Sequence, residues 1–222
     1  SHPRAVQPGD RIVVLGGRTG RDGLRGATFS SMTMDAQTGE VSGASVQIGA
    51  PIVEKGLVDV LMLARDRRLY HAITDCGAGG LSSAVGEMAA ECGCEVQLCE
   101  VPLKYPGLAP WEIWLSEAQE RMVIAVPAEN LAALAEICDR YEVEWTDIGA
   151  FTGSGRTRVS YGERTILDLD NQFLHHGLPQ RHYRAKIRAP QVQPGERIAY
   201  PPLPDEVLPQ VLLRLLAHPN IA

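Results

Sequence analysis

The chain has 222 residues, 45% of them hydrophobic and 22% charged, with a formal net charge of −6. That length is enough for one large domain, or one domain with extensions, and the balance is ordinary for a globular protein. The negative charge and the absence of a basic stripe argue against nucleic acid as a partner. No apolar run approaches the roughly 20 residues needed to span a bilayer, and Ser1-His2-Pro3-Arg4-Ala5 lacks the apolar core of a signal peptide. Five cysteines, Cys76, Cys92, Cys94, Cys99 and Cys138, are an odd number in a long chain. They are expected as free thiols in a reducing cytoplasm, since the spacing of Cys92, Cys94 and Cys99 fits no common zinc pattern.

In chain order, residues 10–15 (Asp-Arg-Ile-Val-Val-Leu) predict a strand that runs into a glycine-rich stretch reaching Gly26. A helix is predicted from Pro51 to about Arg67, its apolar face formed by Ile52, Val53, Leu57, Val60, Leu61 and Ala64. His71–Thr74 predicts a second strand, followed by Asp75-Cys76-Gly77-Ala78-Gly79-Gly80 and a helix from about Leu81 to Ala90. Strand signals at 95–101 and 121–126 enclose the polar group Ser116-Glu117-Ala118-Gln119-Glu120-Arg121. A helix is predicted over 127–141, then strands over 143–150, 156–161 and 164–169. The elements mix without strict alternation. The expected fold is therefore α/β of the α+β kind, a mixed sheet with helices packed on it, and not a doubly wound parallel sheet. From 184 to 210 six prolines give a linker composition, and Val211–Leu216 carries a short helix signal. The absence of an initiator methionine and that terminal helix signal suggest a piece of a longer protein.

Four features carry chemical potential, each with a plainer reading beside it. The glycines of 16–26, interleaved with Arg18, Arg21 and Arg25, could turn backbone N–H groups onto a phosphate, with Gly17, Arg18, Gly20, Arg21 and Gly23 as the contacts. The stretch is neither a Walker A loop nor a dinucleotide fingerprint, and it reads equally as a surface turn. Asp75 stands where a strand gives way to a helix, the edge favoured by ligand sites in open α/β sheets. A carboxylate there suits Mg²⁺, which takes oxygen ligands and keeps waters and substrate phosphates as the others; the same residue reads as a helix N-cap or turn former. Glu117 and Gln119 flank Ala118, so in an extended segment both point to one side. Gln119 donates and accepts hydrogen bonds, as an amide or sugar hydroxyl requires, yet a solvated loop explains the group as well. Gln47, just before the helix at Pro51, faces either a cleft or solvent.

Together the segments Gly16-Gly17-Arg18-Thr19-Gly20-Arg21-Asp22-Gly23, Gly26-Ala27-Thr28-Phe29-Ser30-Ser31, Val46-Gln47-Ile48-Gly49, Asp75 to Ser83 and Ser116-Glu117-Ala118-Gln119-Glu120-Arg121-Met122 occur in one order. Over about residues 8–180 the chain resembles the large synthetase subunit of phosphoribosylformylglycinamidine synthases, in the aminoimidazole ribonucleotide synthetase superfamily. The resemblance implies the C-terminal domain of the first of two such halves. Residues 1–180 then form that domain, and residues 181–222 a proline-rich linker with the start of the next domain.

The resemblance also implies a reaction. ATP phosphorylates the amide oxygen of formylglycinamide ribonucleotide (FGAR) to an iminophosphate, and ammonia displaces the phosphate to give the amidine, FGAM. ATP and Mg²⁺ are the implied cofactors. The implied partners are the other domains of the same subunit, a glutaminase subunit and a small accessory subunit. Residue by residue, Gln47, Glu117, Ala118 and Gln119 look like FGAR contacts and Asp75 like a Mg²⁺ ligand. Ala118 stands where serine is usual in the family, and Cys76 where leucine or a similar residue is usual. The family's catalytic histidines lie in the N-terminal partner domain, so no catalytic residue is expected here and the chain alone is expected to be inactive. A related synthetase of the superfamily, or a structural half that holds a nucleotide without catalysis, are the competing readings.

Overall fold

A computed structural model describes residues 5–24, 49–178, 204 and 207–218. The chain divides into two units, Ser1–Pro179 and Gln180–Ala222. The first holds a seven-stranded sheet: β1 (Arg11–Gly16), β2 (Ala72–Asp75), β3 (Cys94–Gln97), β4 (Arg121–Val126), β5 (Trp145–Phe151), β6 (Arg156–Tyr161) and β7 (Arg164–Asp170). The spatial order is β2-β4-β1-β5-β3-β6-β7. Only β3 and β6 pair in parallel; the other five pairs are antiparallel. The mixed α/β architecture expected from the sequence is the one observed.

β1 and β4 are central strands, and their sequences say why. Ile12-Val13-Val14-Leu15 and Val123-Ile124-Ala125-Val126 are unbroken apolar runs, and all eight residues are buried. Such runs replace the usual in–out alternation when both faces of a sheet are covered. On one face Ile12, Val14, Val123 and Ala125 pack with Leu81, Ala84 and Val85 of α2 (Gly80–Met88) and Ile113 of α3 (Pro110–Leu115). On the other, Val13, Leu15, Ile124 and Val126 pack with Leu57, Val60 and Ala64 of α1 (Pro51–Asp66) and Leu134, Ile137 and Cys138 of α4 (Leu131–Arg140).

Where the boundaries differ from the sequence reading, local chemistry explains it. The strand expected over 95–101 stops at Gln97 and turns through a 3₁₀ segment, Leu98–Glu100, which buries Leu98. The helix expected from Pro127 begins at Leu131 after a 3₁₀ turn over Ala128–Asn130. Ile52, expected on the buried face of α1, is 82% exposed; Leu57, Val60 and Ala64 are the buried residues of the helix, with Leu61 and Leu63 partly buried against the same cluster. A short helix α5 (Asn171–His176) follows β7, with Asp170 as N-cap accepting from the Phe173 N–H.

In the second unit the described helix is α6 (Leu208–Leu216), which begins before the predicted Val211 because Pro209 sits in its first turn, where a missing N–H does no harm. Among the described residues no helix is long and apolar enough to cross a membrane.

Candidate functional site

Strand register assembles the site. β4 lies between β1 and β2 and runs antiparallel to both. Gly16, the last residue of β1, pairs with Arg121, the first of β4. Asp75, the last residue of β2, pairs with Met122. Three segments distant in sequence, the glycine loop after β1, the Asp75–Gly80 turn and the Ser116–Glu120 loop, therefore share one end of the sheet.

The Ser116–Glu120 loop is fastened to each neighbour by hydrogen bonds. The Gly17 N–H donates to the Glu120 carbonyl (2.8 Å), and the Glu117 N–H donates to the Asp22 carbonyl (2.9 Å). The Gly79 N–H donates to Glu117 Oε1 (3.2 Å) and the Ala50 N–H to Glu120 Oε1 (2.8 Å), which ties the loop to the starts of α2 and α1. Glu120 holds a φ of 53°, a left-handed conformation costing a side-chain-bearing residue about 1–2 kcal/mol. Beneath the loop Arg121 is 3% exposed. Its guanidinium donates to the Ala118 carbonyl (3.0 Å), to Thr19 Oγ1 (2.8 Å) and to the Ser116 carbonyl.

A cavity of about 210 Å³ opens at this edge, lined by Glu54, Leu57, Asp75, Cys76, Gly77 and residues 118–122. Asp75 is exposed, and among the described residues its carboxylate takes no hydrogen bond and no ion pair. It folds back over Gly77, where a Cβ would lie 2.9 Å from its Oδ2. The N-cap alternative does not hold: the N-cap of α2 is Gly79, in the left-handed region at φ 81°. Ala118 is 1% exposed, its methyl forming part of the wall. Gln119 is exposed at the cavity, its Nε2 donating to the Glu117 carbonyl (3.3 Å). Glu117 is half-buried and turned toward α2; it is not among the cavity's lining residues. Burial pushes the Cys76 thiol up to about 11, so it lines the cavity as a small apolar group. Gln47 lies outside the described residues.

Of the residues expected to cradle a phosphate, Gly17, Arg18, Gly20, Arg21 and Gly23, three have protein partners: the Gly17 N–H, the Arg18 side chain, and both the N–H and side chain of Arg21. Backbone donors of the loop are turned to protein acceptors: Gly17 to Glu120, Thr19 to the Pro102 carbonyl (2.8 Å) and Arg21 to the Tyr105 hydroxyl (2.9 Å). Arg18 pairs with Glu144 (2.8 Å), and Arg21 pairs with Glu112 (2.8 Å) and caps the Gly107 carbonyl. Hydrogen bonds to these carboxylates raise both guanidinium pKa values. None of the five residues lines the cavity of Asp75. A larger cavity of about 610 Å³ borders Gly17 and Arg18, and both of its cations are paired within its wall, Arg18 with Glu144 and Lys55 with Asp59.

Among the described residues no group of three or more His, Cys, Asp or Glu side chains gathers into a metal cage. Asp75 offers a single unpartnered carboxylate, a donor set that fits Mg²⁺ only in the manner of substrate-phosphate sites, where waters and phosphates supply the remaining oxygens. Sequence reasoning missed Arg121, Thr19 and Glu120. A signal for Arg121 existed: an arginine heading a wholly apolar strand must find acceptors within the fold.

Comparison with known proteins identifies the family. The family described as AIR synthase related protein, C-terminal domain, matches residues 7–162. The phosphoribosylformylglycinamidine synthase subunit PurL of Thermoplasma acidophilum is 39% identical over 186 residues, covering 82% of this chain and 24% of its own length. Among solved structures, Thermotoga maritima PurL complexed with FGAR is similar at a TM-score of 0.72 and 32% identity, over 84% of this chain and 31% of that one. The same protein complexed with ATP is similar at 0.67 and 28% identity, over 84% and 29%. The chain thus spans less than a third of the length of these relatives, and it belongs to the AIR synthase related protein family, whose C-terminal domain it carries.

Proposed function

We propose that this chain supplies a ligand-binding domain to an ATP-dependent carbon–nitrogen ligase, the synthase that converts FGAR, ammonia and ATP to FGAM, ADP and phosphate in purine biosynthesis. The observation that carries the reading is the cavity in which unpartnered Asp75, buried Ala118 and exposed Gln119 meet at the end of β2 and β4. A relative that shares this fold at 32% identity was solved with FGAR, and at 28% with ATP.

In this reading Ala118 and Gln119 contact FGAR, joined by Gln47 from the segment ahead of α1. Glu117 belongs to the same contact segment and fastens it to α2 through the Gly79 N–H. Asp75 is the protein ligand to Mg²⁺. Bound there, the ion would offset negative charge on the phosphates, the electrostatic help on which phosphoryl transfer depends. Gln119, with a donor and an acceptor on one amide, orients the formylglycinamide or ribose of the substrate. The glycine loop serves as the frame behind this segment. Residues 181–222 connect the domain to further parts of a cytoplasmic subunit, which works with a glutaminase subunit and a small accessory subunit. The chain by itself does not turn over.

The test uses the full-length subunit with ammonia as nitrogen donor. Asp75→Asn is expected to raise the Mg²⁺ concentration for half-maximal turnover at least tenfold, and Gln119→Ala to raise KM for FGAR at least tenfold, with folding intact. Unchanged Mg²⁺ dependence and unchanged KM in folded variants refute the reading. Synthase turnover by the 222-residue chain alone refutes the expectation of inactivity.

A further inference from the structure

The guanidinium of Arg121 is the least expected group at this edge. It is buried, and among the described residues no carboxylate hydrogen-bonds to it. Its donors go to two carbonyls and one hydroxyl. Neutral acceptors satisfy N–H groups without cancelling charge, Asp22 acts on the cation without hydrogen-bonding to it, and a buried ion held in this way is often less stabilising than an apolar residue of similar volume. If packing were the only requirement at the head of β4, methionine or leucine would serve better.

What the fork accomplishes is geometric. It takes the carbonyls of Ser116 and Ala118, two residues apart, and fixes both toward the interior. A segment held by alternate carbonyls has its path set, and with that path Ala118 and Gln119 are presented to the cavity. The third arm, to Thr19 Oγ1, keys the fork to the loop after β1. The Cys76 N–H donates to the Arg121 carbonyl (3.1 Å), so the Asp75–Cys76 end of β2 is referenced to the same residue. Charge points the same way. Of the described residues that line the cavity, Glu54, Asp75 and Glu120 are acids and Arg121 is the one base.

We propose that Arg121 is a positioning residue for ligand binding: its three-armed contact sets the Ser116–Gln119 segment in the form that contacts a phosphorylated ribonucleotide, and its charge offsets the acids that line the cavity. The inference rests on the reading of Ala118 and Gln119 as FGAR contacts. Holding contact groups in place before the ligand arrives removes an ordering penalty from binding.

The experiment compares Arg121→Lys, which keeps the charge and loses the fork, and Thr19→Val, which removes one arm, in the full-length subunit. Amide hydrogen exchange over residues 116–119 and FGAR affinity by calorimetry are the readouts. Arg121→Lys is expected to speed exchange in that segment at least tenfold and weaken FGAR at least tenfold, and Thr19→Val to change both in the same direction by less. Unchanged exchange in both variants overturns the proposal, as does faster exchange with wild-type FGAR affinity. If Arg121→Lys does not fold, Thr19→Val decides on the same criteria. If the wild-type subunit binds no FGAR, the reading of the site fails, and exchange alone then decides whether Arg121 sets the segment.

Discussion

Gly80 is where the site is most sensitive to a single methyl group. It opens α2 at a φ of +56°, and a Cβ placed on it would lie 1.9 Å from the Ser116 carbonyl oxygen and 2.8 Å from its carbon. Both are backbone atoms of a segment fixed by Arg121, so no flexible side chain can yield. Gly80→Ala combines a left-handed penalty of about 1–2 kcal/mol with an overpacking penalty of about 1–3 kcal/mol, a total near 3 kcal/mol. For a domain of this size that lowers Tm by about 10 °C. Gly86, six residues on in the same helix, is the internal control. It is buried, with nothing within 4 Å of an added Cβ, so Gly86→Ala should gain about 0.5–1 kcal/mol from helix propensity. Urea unfolding monitored by tryptophan fluorescence and circular dichroism measures both. A neutral Gly80→Ala, or equal losses at the two positions, would refute the close approach of α2 to the Ser116 carbonyl.

Two further predictions concern titration. Burial pushes the thiols of Cys76 and Cys94 up to about 11 and that of Cys138 to about 12, whereas Cys99 is exposed; an aromatic disulfide reagent at neutral pH should label Cys99 fast, half-buried Cys92 slowly and the other three only in denaturant, and native-state labelling of all five at one rate contradicts the burial. Glu112 is held below its ordinary value of 4.5 first by hydrogen bonding to Arg21 and then by the Ala109 N–H. Its folded pKa is depressed, so its contribution is present above the ordinary carboxylate value and lost as pH falls through the folded one. Glu112→Gln should therefore be less stable than wild type at neutral pH, with the gap closing as pH falls below the ordinary carboxylate value and through the depressed folded one. A gap that stays constant with pH rules out the Arg21 pairing as its source.

The elements were legible where one physical cause dominated. Unbroken apolar runs announced β1 and β4, and helical spacing announced α1 and α4, because burial on both faces or on one stripe leaves a pattern in the chain itself. The site was legible only in part. Asp75 and the Glu117–Gln119 group could be picked out as chemically apt, but that Asp75 and Gln119 line one cavity follows from the pairing of Asp75 with Met122, and register is a property of two strands together. The partners of the glycine loop were hidden for the same reason. Arg18 and Arg21 look like free cations beside flexible glycines, and their partners Glu144 and Glu112 lie about a hundred residues away in sequence. Glu117 is an expected ligand contact by resemblance alone, and that its carboxylate receives the N–H of Gly79 left no mark in the sequence.

The order β2-β4-β1-β5-β3-β6-β7 puts the cavity beside Asp75 toward one margin of the sheet and the β6–β7 hairpin at the other. Turnover of loops is thereby partitioned. A residue gained or lost between Gly16 and Thr19, or between Ser116 and Arg121, shifts a hydrogen-bonded ladder and with it every contact group. The turn at Gly162 joins two strands that no group of the cavity touches, and a Cβ there meets nothing within 4 Å. Lengthening the β6–β7 turn is therefore expected to leave the spacing of the cavity beside Asp75 unchanged.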